Sequence, residues 1–457
     1  MSHPEPAGFH DLRDTLGLTG SVTLTGERLL TSAYPVSDLA TAAMSAVAGS
    51  LSELTSRLGF TDGAPVRVDR ARSDAWFGLH VRPVGWTAPS AWDPLSGAFE
   101  TRDESWIRTH ANAPRHRAAL LEVLGCAAEP DAVARAVRGW NALELEAAVI
   151  ARGGAAAAMR TAAEWQESAP GAAVAAEPLV LRADGEVGDG GRRWAPTPER
   201  PLAGIRVLDL TRVIAGPACT QVLAGLGAEV LRIDPPDWDE PAVLPFVMWN
   251  KRSARLDART PEGAERLREL LAGADILVHG YRAGALERLG LSEPERRRIR
   301  PGLIDVSERA YGWSGPWAER RGFDSLVQFA TGIAHTGMVA SGKAQPVSLP
   351  VQALDWATGY LAAASAIAGL VRRLETNTGS RWRLSLARTA YALAHLPVSG
   401  AARDVDGTPA DLPAAVHRTA SGDMALTSSP LTVGAATLAY DRLTTRLGVD
   451  DPAWSAA

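Results

Sequence analysis

Short apolar runs alternate with helical patterns through the second half of the chain. Helical periodicity predicts α-helices at residues 217–226 and 261–271, and Pro217 suits a first helical position, where its missing N–H costs nothing. We predict buried strands where β-branched and other apolar residues run together, at residues 204–210, 229–233, 275–279 and 302–307. This alternation predicts an α/β fold with an open, mostly parallel, Rossmann-like sheet that is covered by helices.

The first half of the chain has a different pattern, which predicts a second, small α+β domain. Residues 92–110 resemble two short strands around a polar turn, and helical patterns follow at residues 115–124, 131–138, 143–151 and 155–166. Residues 182–200 concentrate Gly, Pro and charge without a hydrophobic period, so we expect the chain to divide there. The predicted units are a partial repeat (1–90), the small domain (91–181), a linker (182–200), the α/β domain (201–400) and a C-terminal extension (401–457).

An internal repeat connects the two halves of the chain. Residues 36–50 and 353–368 both contain D-x-A-T at the start of an Ala-rich helical pattern. Further on, residues 63–72 parallel residues 379–388 in nearly the same register. Ala-rich helices resemble one another easily, so chance similarity is the alternative. The shared order of motif, helix and strand favours a duplicated element.

Composition and charge exclude several classes of partner. The formal net charge is -5 and the basic residues are scattered, which is unlike the coherent basic face of a nucleic-acid-binding protein. Cys126 and Cys219 are far apart and predict neither a disulfide framework nor a zinc site. The N-terminus lacks a secretory pattern, and the apolar stretch 361–370 is shorter than a membrane span and is interpreted as a buried helix. We expect a cytoplasmic protein without nucleic-acid, membrane or metal partners.

Asp355 is the first candidate for chemistry, because it lies just before the Ala-rich helical pattern. An aspartate at that place is typical of a helix N-cap, whose carboxylate accepts a hydrogen bond from a backbone N–H of the first turn. It could also be a carboxylate nucleophile at the positive end of the helix dipole. The local sequence favours the cap, and the two interpretations are compatible.

The segment 211–221 connects the first predicted strand of the sheet to its helix. It is neither G-x-G-x-x-G nor a P-loop, so no nucleotide-binding motif follows from it. Small residues in a strand–loop–helix turn allow backbone N–H groups to approach a phosphate or a thioester closely. Taken alone, ordinary turn chemistry explains the segment equally well.

The order of the motifs is more specific than any one of them. From about residue 201 to 391 it resembles the family III CoA-transferases, which include formyl-CoA and carnitine CoA-transferases and α-methylacyl-CoA racemase. The segments that carry the resemblance are residues 201–234, 250–257, 275–290, 311–316 and 321–328, followed by the D-x-x-T-G loop at Asp355. Residues 99–124 and 160–165 resemble the small domain of the same family. In relatives that domain follows the Asp loop, so this chain resembles a partly duplicated and effectively permuted member.

The resemblance implies a mechanism and a set of site residues. In the family, the Asp of the D-x-x-T-G loop attacks an acyl-CoA thioester, a mixed anhydride and then an aspartyl-CoA thioester form, and an acceptor carboxylate takes over the CoA. Asp355 would be this nucleophile. The cofactor-binding positions that carry over are Val213, Ile214 and Ala215 at the first loop, Leu256, Tyr281 and Ala285 along the adenine and pantetheine path, and Arg259 and Arg288 at the CoA phosphates. One family arginine falls at Pro235, so phosphate contacts are expected to be fewer or differently placed.

Three functions remain open on the sequence. CoA transfer between an acyl-CoA and a carboxylic acid is the leading one. Racemase members use a histidine beside aspartate for proton transfer, whereas this chain has Phe323 before Asp324. Nothing in the sequence puts the nearby His335 in the site. Transfer is therefore favoured, and acyl-CoA isomerisation or racemisation is the alternative. A non-catalytic CoA-binding paralogue is the third. The repeat partner Asp38 is expected to be a surviving N-cap. Family members form interlocked homodimers, and a permuted chain could keep that arrangement or complete its own site.

Overall fold

The computed structural model of the protein describes residues 10–60, 65–188, 194–397, 411–442 and 446–455. The strands in these ranges are β1 (Thr23–Thr25), β2 (Val66–Asp69), β3 (Val81–Pro83), β4 (Ala98–Glu100), β5 (Trp106–Thr109), β6 (Ala156–Ala158), β7 (Leu181–Val187), β8 (Arg206–Leu210), β9 (Glu229–Asp234), β10 (Lys251–Arg255), β11 (Ile276–His279), β12 (Ile304–Arg309), β13 (Thr378–Ser385), β14 (Ala414–Thr419), β15 (Gly422–Thr427), β16 (Leu431–Val433) and β17 (Ala436–Thr437). The helices are α1 (His10–Leu16), α2 (Val36–Arg57), α3 (Arg70–Ala75), α4 (Pro114–Leu124), α5 (Pro130–Val137), α6 (Ala142–Ala151), α7 (Ala162–Glu167), α8 (Ala169–Ala176), α9 (Ala215–Gly225), α10 (Leu244–Val247), α11 (Pro261–Ala272), α12 (Ala285–Arg288), α13 (Glu293–Ile299), α14 (Asp324–Ala330), α15 (Ile333–Ser341), α16 (Ala353–Thr376) and α17 (Leu386–His395).

A seven-stranded sheet forms the centre of the α/β half, with its strands in the order β10-β9-β8-β11-β12-β13-β7. Neighbouring strands are parallel, except that β7 runs antiparallel to β13 at one edge. The strands β8, β9, β11 and β12 lie where the apolar runs predicted them, because strands buried on both faces have no polar alternation. The predicted mostly parallel α/β sheet is therefore confirmed.

This sheet includes part of the stretch predicted as a linker. Residues 181–187 form β7, whose side chains are alternately more and less exposed along an edge strand. Gly185 permits the close pairing, since a Cβ there would lie 2.9 Å from the carbonyl carbon of Gly379. The linker was predicted too long on this side because the polar composition of an edge strand resembles that of a loop.

Helix α16 lies in the core beside the large sheet. It is long and apolar enough, by length and composition, to cross a membrane, but 94% of its most apolar stretch is buried inside the protein. The short buried helix predicted at residues 361–370 is the middle of this longer one. Gly359 lets α16 pack directly on α9, because a Cβ at Gly359 would lie only 2.3 Å from the carbonyl oxygen of Ala215.

The two copies of the repeat have the same order of elements and are in contact. The first copy, α2-β2-α3, parallels α16-β13-α17, and α2 packs along α16. Strand β2 lies outside the large sheet and pairs with β1 and β16, while β3 pairs with β15. The stretch predicted as a C-terminal extension therefore completes two sheets that the N-terminal copy begins. Residues 61–64 of the repeat and residues 401–410 of the extension lie outside the described residues.

The small α+β domain consists of the antiparallel sheet β4-β5-β6 packed with α4, α5 and α6. The helix predicted at residues 155–166 is wrong in its first half, where residues 156–158 form β6, and α7 begins only at residue 162. Alanine favours a helix locally, but pairing with β5 and burial of all three residues outweigh that weak preference.

A buried ionic network fastens the small domain to the α/β half. The Glu146 carboxylate of α6 accepts hydrogen bonds from Arg160 at 3.0 and 2.6 Å, and Arg320 lies 2.7 Å from the same carboxylate. The Arg320 guanidinium also lies 3.7 Å from the ring centre of Trp317. Because a buried charge is tolerated only when it is paired, this network fixes the small domain against the segment that leads into α14.

Candidate active site

A cavity of about 870 Å³ opens at the carboxyl ends of β8, β9, β11 and β12. Open α/β sheets bind their ligands at this edge. The cavity is lined by all nine residues that the sequence predicted for the site: Asp355, Val213, Ile214, Ala215, Leu256, Arg259, Tyr281, Ala285 and Arg288. Arg115 and His116 of α4 line it as well. The small domain thus contributes to the wall of the cavity within one chain.

Asp355 is the third residue of α16, and the predicted N-cap assignment is wrong. The N-cap residue is Gln352, whose side chain makes no capping bond. Capping comes instead from Asp324, whose Oδ2 accepts hydrogen bonds from the backbone N–H groups of Leu354 at 2.8 Å and Asp355 at 2.9 Å. Because a remote carboxylate satisfies these first-turn donors, the carboxylate of Asp355 is not needed for capping.

The Asp355 carboxylate lies at the cavity with only 8% of the residue exposed. Among the described residues no hydrogen-bond donor contacts its side-chain oxygens. Burial raises the pKa of Asp355 well above its usual value, and the nearby carboxyls of Asp324 and Glu308 raise it further. Burial likewise raises the pKa of Asp324 to about 6, although its hydrogen bonds oppose the shift. A poorly solvated carboxylate at a helix N-terminus is a good nucleophile once it is ionised.

The loop between β8 and α9 is held in a strained conformation beside this carboxylate. Val213 has φ of 65°, a left-handed conformation that is costly for a β-branched residue. Its N–H donates to Glu240 at 3.0 Å, and Glu240 in turn accepts a hydrogen bond from the buried Arg232 at 2.5 Å. Helix α9 then begins at Ala215, so Pro217 is its third residue and not its first. The buried network fixes the backbone of this loop where it lines the cavity.

Glu308, at the end of β12, is a cavity residue that the sequence analysis missed. Its Oε1 accepts a hydrogen bond from the N–H of Gly216 at 3.1 Å, while no described residue is hydrogen-bonded to its buried Oε2. Gly280 makes room for it, because a Cβ at Gly280 would lie 2.7 Å from Oε1. Burial raises the pKa of Glu308 to about 8, and the charge of Asp209 adds to this effect. In the sequence, the only signal for Glu308 is an acidic residue at the end of a predicted strand.

Two histidines of the small domain were also missed. His110 stacks on Phe323 with ring centres 3.7 Å apart, and His116 approaches the same ring edge-on at 5.7 Å. Burial is the main cause that lowers the pKa of His110 to about 4 and that of His116 to about 3. Both rings are therefore neutral near pH 7. His335 lies on α15 and does not line the cavity.

The predicted CoA-binding arginines differ in their surroundings. Arg259 is exposed and already forms a two-pronged ion pair with Asp257, at 2.7 and 3.0 Å. Arg288 is exposed at the end of α12. Pro235, the position at which the resemblance implies a family arginine, lines the cavity. Within the described ranges no group of three His, Cys, Asp or Glu side chains is arranged to hold a metal ion.

Asp38, the repeat partner of Asp355, does not line the cavity. It is the third residue of α2, as Asp355 is of α16, and the N-cap of α2 is Pro35. The predicted capping role of Asp38 is therefore wrong as well. Arg28 forms a salt bridge with it at 3.1 Å, so the carboxylate in this copy has a structural partner.

Comparison with known proteins identifies the family of the α/β half. Residues 202–429 match the family model of CoA-transferase family III. Acetyl-coenzyme A transferase nodX of Hypoxylon pulicicidum is 36% identical over 201 residues, covering 43% of this chain and 33% of its own length. Human succinyl-CoA:glutarate CoA-transferase is 34% identical over 213 residues, covering 42% of this chain and 48% of its own length. Formyl-CoA:oxalate CoA-transferase of Streptomyces avermitilis is 31% identical over 226 residues, covering 47% of this chain and 54% of its own length.

Among solved structures, Rv3272 from M. tuberculosis is similar with a TM-score of 0.40 and 29% identity, covering 43% of this chain and 57% of its own. The chain spans about half or less of the length of these curated relatives. The family match and the curated relatives agree with the motif order in the sequence. The chain, through its α/β half, belongs to CoA-transferase family III.

Proposed function

We propose that the protein moves CoA from an acyl-CoA thioester to an acceptor carboxylate, with Asp355 as the nucleophile. The observation that carries this proposal is that one aspartate caps the start of α16 and a different one faces the cavity. Asp324 caps the helix, which leaves the Asp355 carboxylate facing the cavity without a hydrogen-bond partner among the described residues. A structural aspartate would be expected to use its oxygens for the cap or for an ion pair, as Asp38 does with Arg28.

The proposed reaction proceeds through covalent intermediates on Asp355. Its carboxylate attacks the thioester carbonyl carbon, the C–S bond breaks, and a mixed anhydride and the CoA thiolate form. The thiolate attacks the aspartyl carbonyl, which releases the donor acid and leaves an aspartyl-CoA thioester. The acceptor carboxylate repeats the two steps in reverse and leaves with CoA. The dipole of α16 favours negative charge at Asp355, and it acts against the effects of burial and of the neighbouring Asp324 and Glu308 carboxyls.

The cavity supports this assignment by its shape and its lining. The loop of Val213, Ile214 and Ala215 lines the same cavity as Asp355 with apolar side chains. Leu256, Tyr281 and Ala285 would form the adenine and pantetheine path. Arg288 is exposed for a CoA phosphate, whereas Arg259 would have to share its guanidinium with Asp257. These roles, like the use of coenzyme A itself, rest on the family resemblance.

Covalent trapping tests the proposal. The protein is incubated with a panel of acyl-CoAs and hydroxylamine, and modified peptides are mapped by mass spectrometry. We expect a hydroxamate on Asp355 that is absent from the Asp355→Asn variant. Asp38→Asn is the matched control, because it removes the same group at the equivalent position of the repeat. An unmodified Asp355 across the panel, with CoA binding intact, would favour the non-catalytic paralogue.

Isomerisation or racemisation is the second candidate, and the two histidines near Phe323 are the reason to test it. Their lowered pKa values make them weak bases, which favours transfer. Uptake of solvent deuterium at the α-carbon without an acceptor acid would support the isomerase instead.

The homodimer implied by the resemblance stays a proposal. Arg115, His116 and Asp355 line one cavity within one chain, which supports a site that needs no partner subunit. Light scattering of the purified protein tests the oligomeric state. The cytoplasmic location expected from the sequence also stays a prediction.

A further inference from the structure

Three arginines from separate parts of the chain line the cavity that contains Asp355. Arg115 lies in the first turn of α4 in the small domain, Arg282 follows β11, and Arg321 precedes α14. None of the three was among the site residues predicted from the sequence. Arg115 and Arg282 are exposed and Arg321 is half-buried, so a ligand in the cavity can reach all of them.

The three guanidinium groups act on one another as like charges. Burial first, and then the charges of Arg282 and Arg212, lower the pKa of Arg115, with Asp237 opposing. Burial, Arg282 and Arg115 lower the pKa of Arg321 in the same way. Within the described ranges no carboxylate forms a salt bridge with Arg115, Arg282 or Arg321. Asp237 lines the same cavity and offsets part of this repulsion without forming a salt bridge with any of the three. The remaining repulsion costs free energy, which a bound anion would recover.

Contacts connect this cluster to the carboxylate end of the cavity. The Nε of Arg115 lies 3.4 Å from Nε2 of His116, and the His116 ring contacts Phe323. Arg321 donates to the carbonyl of Gly153, which anchors it to the small domain. Phe323 directly precedes Asp324, the residue that caps the helix of Asp355. The cluster therefore lies where the small domain meets the α/β half.

We propose that Arg115, Arg282 and Arg321 form an oxyanion subsite for an anionic group of the bound acyl-CoA. That group is the free carboxylate of a dicarboxylic acyl group, since planar guanidinium groups bind carboxylates by paired hydrogen bonds. The inference rests on the proposed function, because it assumes an acyl-CoA in the cavity. Arginines at a solvated surface would be the ordinary explanation, but these three come from separate parts of the chain and line the same cavity.

Binding measurements test the subsite independently of catalysis. Affinities for succinyl-CoA, butyryl-CoA and CoA are measured by calorimetry on full-length protein carrying Asp355→Asn, so that no thioester is consumed. Arg115→Gln and Arg321→Gln are compared with Arg138→Gln, which removes the same charge from an exposed residue of the small domain that does not line the cavity. Arg321→Lys keeps the charge and shows whether a loss reflects charge or misfolding.

If the arginines bind a carboxylate of the acyl group, the two Gln variants are expected to lose about ten-fold or more in affinity for succinyl-CoA. Their affinity for butyryl-CoA, which lacks that carboxylate, should change little. Equal losses for all three compounds, together with lost competition by inorganic diphosphate, would show that the arginines bind the CoA phosphates and would overturn the acyl-carboxylate subsite. Unchanged affinities, or the same loss with Arg138→Gln, would overturn the subsite. Absence of CoA binding in the parent protein would overturn it together with the proposed function, whereas a missing Asp355 adduct with CoA binding intact would overturn the proposed function alone.

Discussion

The contact between α16 and α9 gives a sharp test of how the site is built. Gly359 follows Asp355 by one helical turn and faces the first residues of α9. A methyl group at this position would lie 2.3 Å from the carbonyl oxygen of Ala215 and 2.9 Å from the Cβ of Ala218. Because the closer neighbour is backbone, it cannot turn aside. We expect Gly359→Ala to force the two helices apart.

The size of the effect follows from two opposing contributions. Overpacking a tight core contact costs about 1–3 kcal/mol, and an immovable backbone atom favours the upper end. Replacing glycine by alanine within a helix returns about 1 kcal/mol through helix propensity. The net loss in unfolding free energy should be about 2 kcal/mol. Asp355 and the Val213–Ala215 loop lie on opposite sides of the contact, so the proposed transfer activity should fall further, by about 100-fold for a displacement near 1 Å.

Urea unfolding and the rate of Asp355 adduct formation measure the two effects. The control is Ala42 of α2, which occupies the equivalent position of the repeat. Among the described residues no helix corresponding to α9 requires glycine there. Ala42→Gly should lower the unfolding free energy by only about 1 kcal/mol, through helix propensity. A Gly359→Ala protein that is as stable as the wild type and forms the adduct at the normal rate would show that the close contact does not set the position of Asp355.

Two further predictions concern buried charges. Burial raises the pKa of Glu308 from 4.5 to about 8, so the folded protein holds a proton that the unfolded chain releases, and the wild type loses stability as the pH rises between those values. Glu308→Gln should remove this loss, so the free energy of unfolding of the variant should rise relative to that of the wild type between pH 5 and pH 8, as measured by urea unfolding. An equal difference between the two proteins at both pH values would contradict the raised pKa of Glu308. Arg320→Met should destabilise the protein by about 3 kcal/mol, since Glu146 loses one of its two cationic partners. The exposed Arg138→Met is the control, expected within about 0.5 kcal/mol of wild type, and equal losses in the two variants would refute a special role for the buried network.

The sequence predicted the elements that have a strong local signal. Strands buried on both faces appear as continuous apolar runs, so the parallel part of the sheet and its helices were predictable. The cavity was predictable through the motif order, because the matched segments are the loops at the carboxyl ends of those strands. Strands β6 and β7 were missed, since an Ala-rich strand and a polar edge strand have no pattern that separates them from a helix or a loop.

The contacts that make the site distinctive lie between residues far apart in the chain. Asp324 caps a helix that begins 29 positions later, and a local reading of the sequence assigned that cap to Asp355 itself. Glu308 fits into the cavity wall because Gly280, just after the neighbouring strand β11, lacks a side chain. Arg115 comes from another domain. Tertiary packing decides all three, and no window of sequence contains both partners.

The repeat shows why the motif alone does not make a site. Asp38 and Asp355 hold the same third position in two similar helices that pack against each other. In the first copy Arg28 pairs with the carboxylate of Asp38. Ala42 occupies the position that is equivalent to Gly359, the residue at which α9 packs on α16. In the second copy α9 approaches closely, Asp324 takes over the cap, and the carboxylate faces a cavity. The chemistry proposed for Asp355 therefore comes from its neighbours, and a copy of the helix without them retains only a structural aspartate.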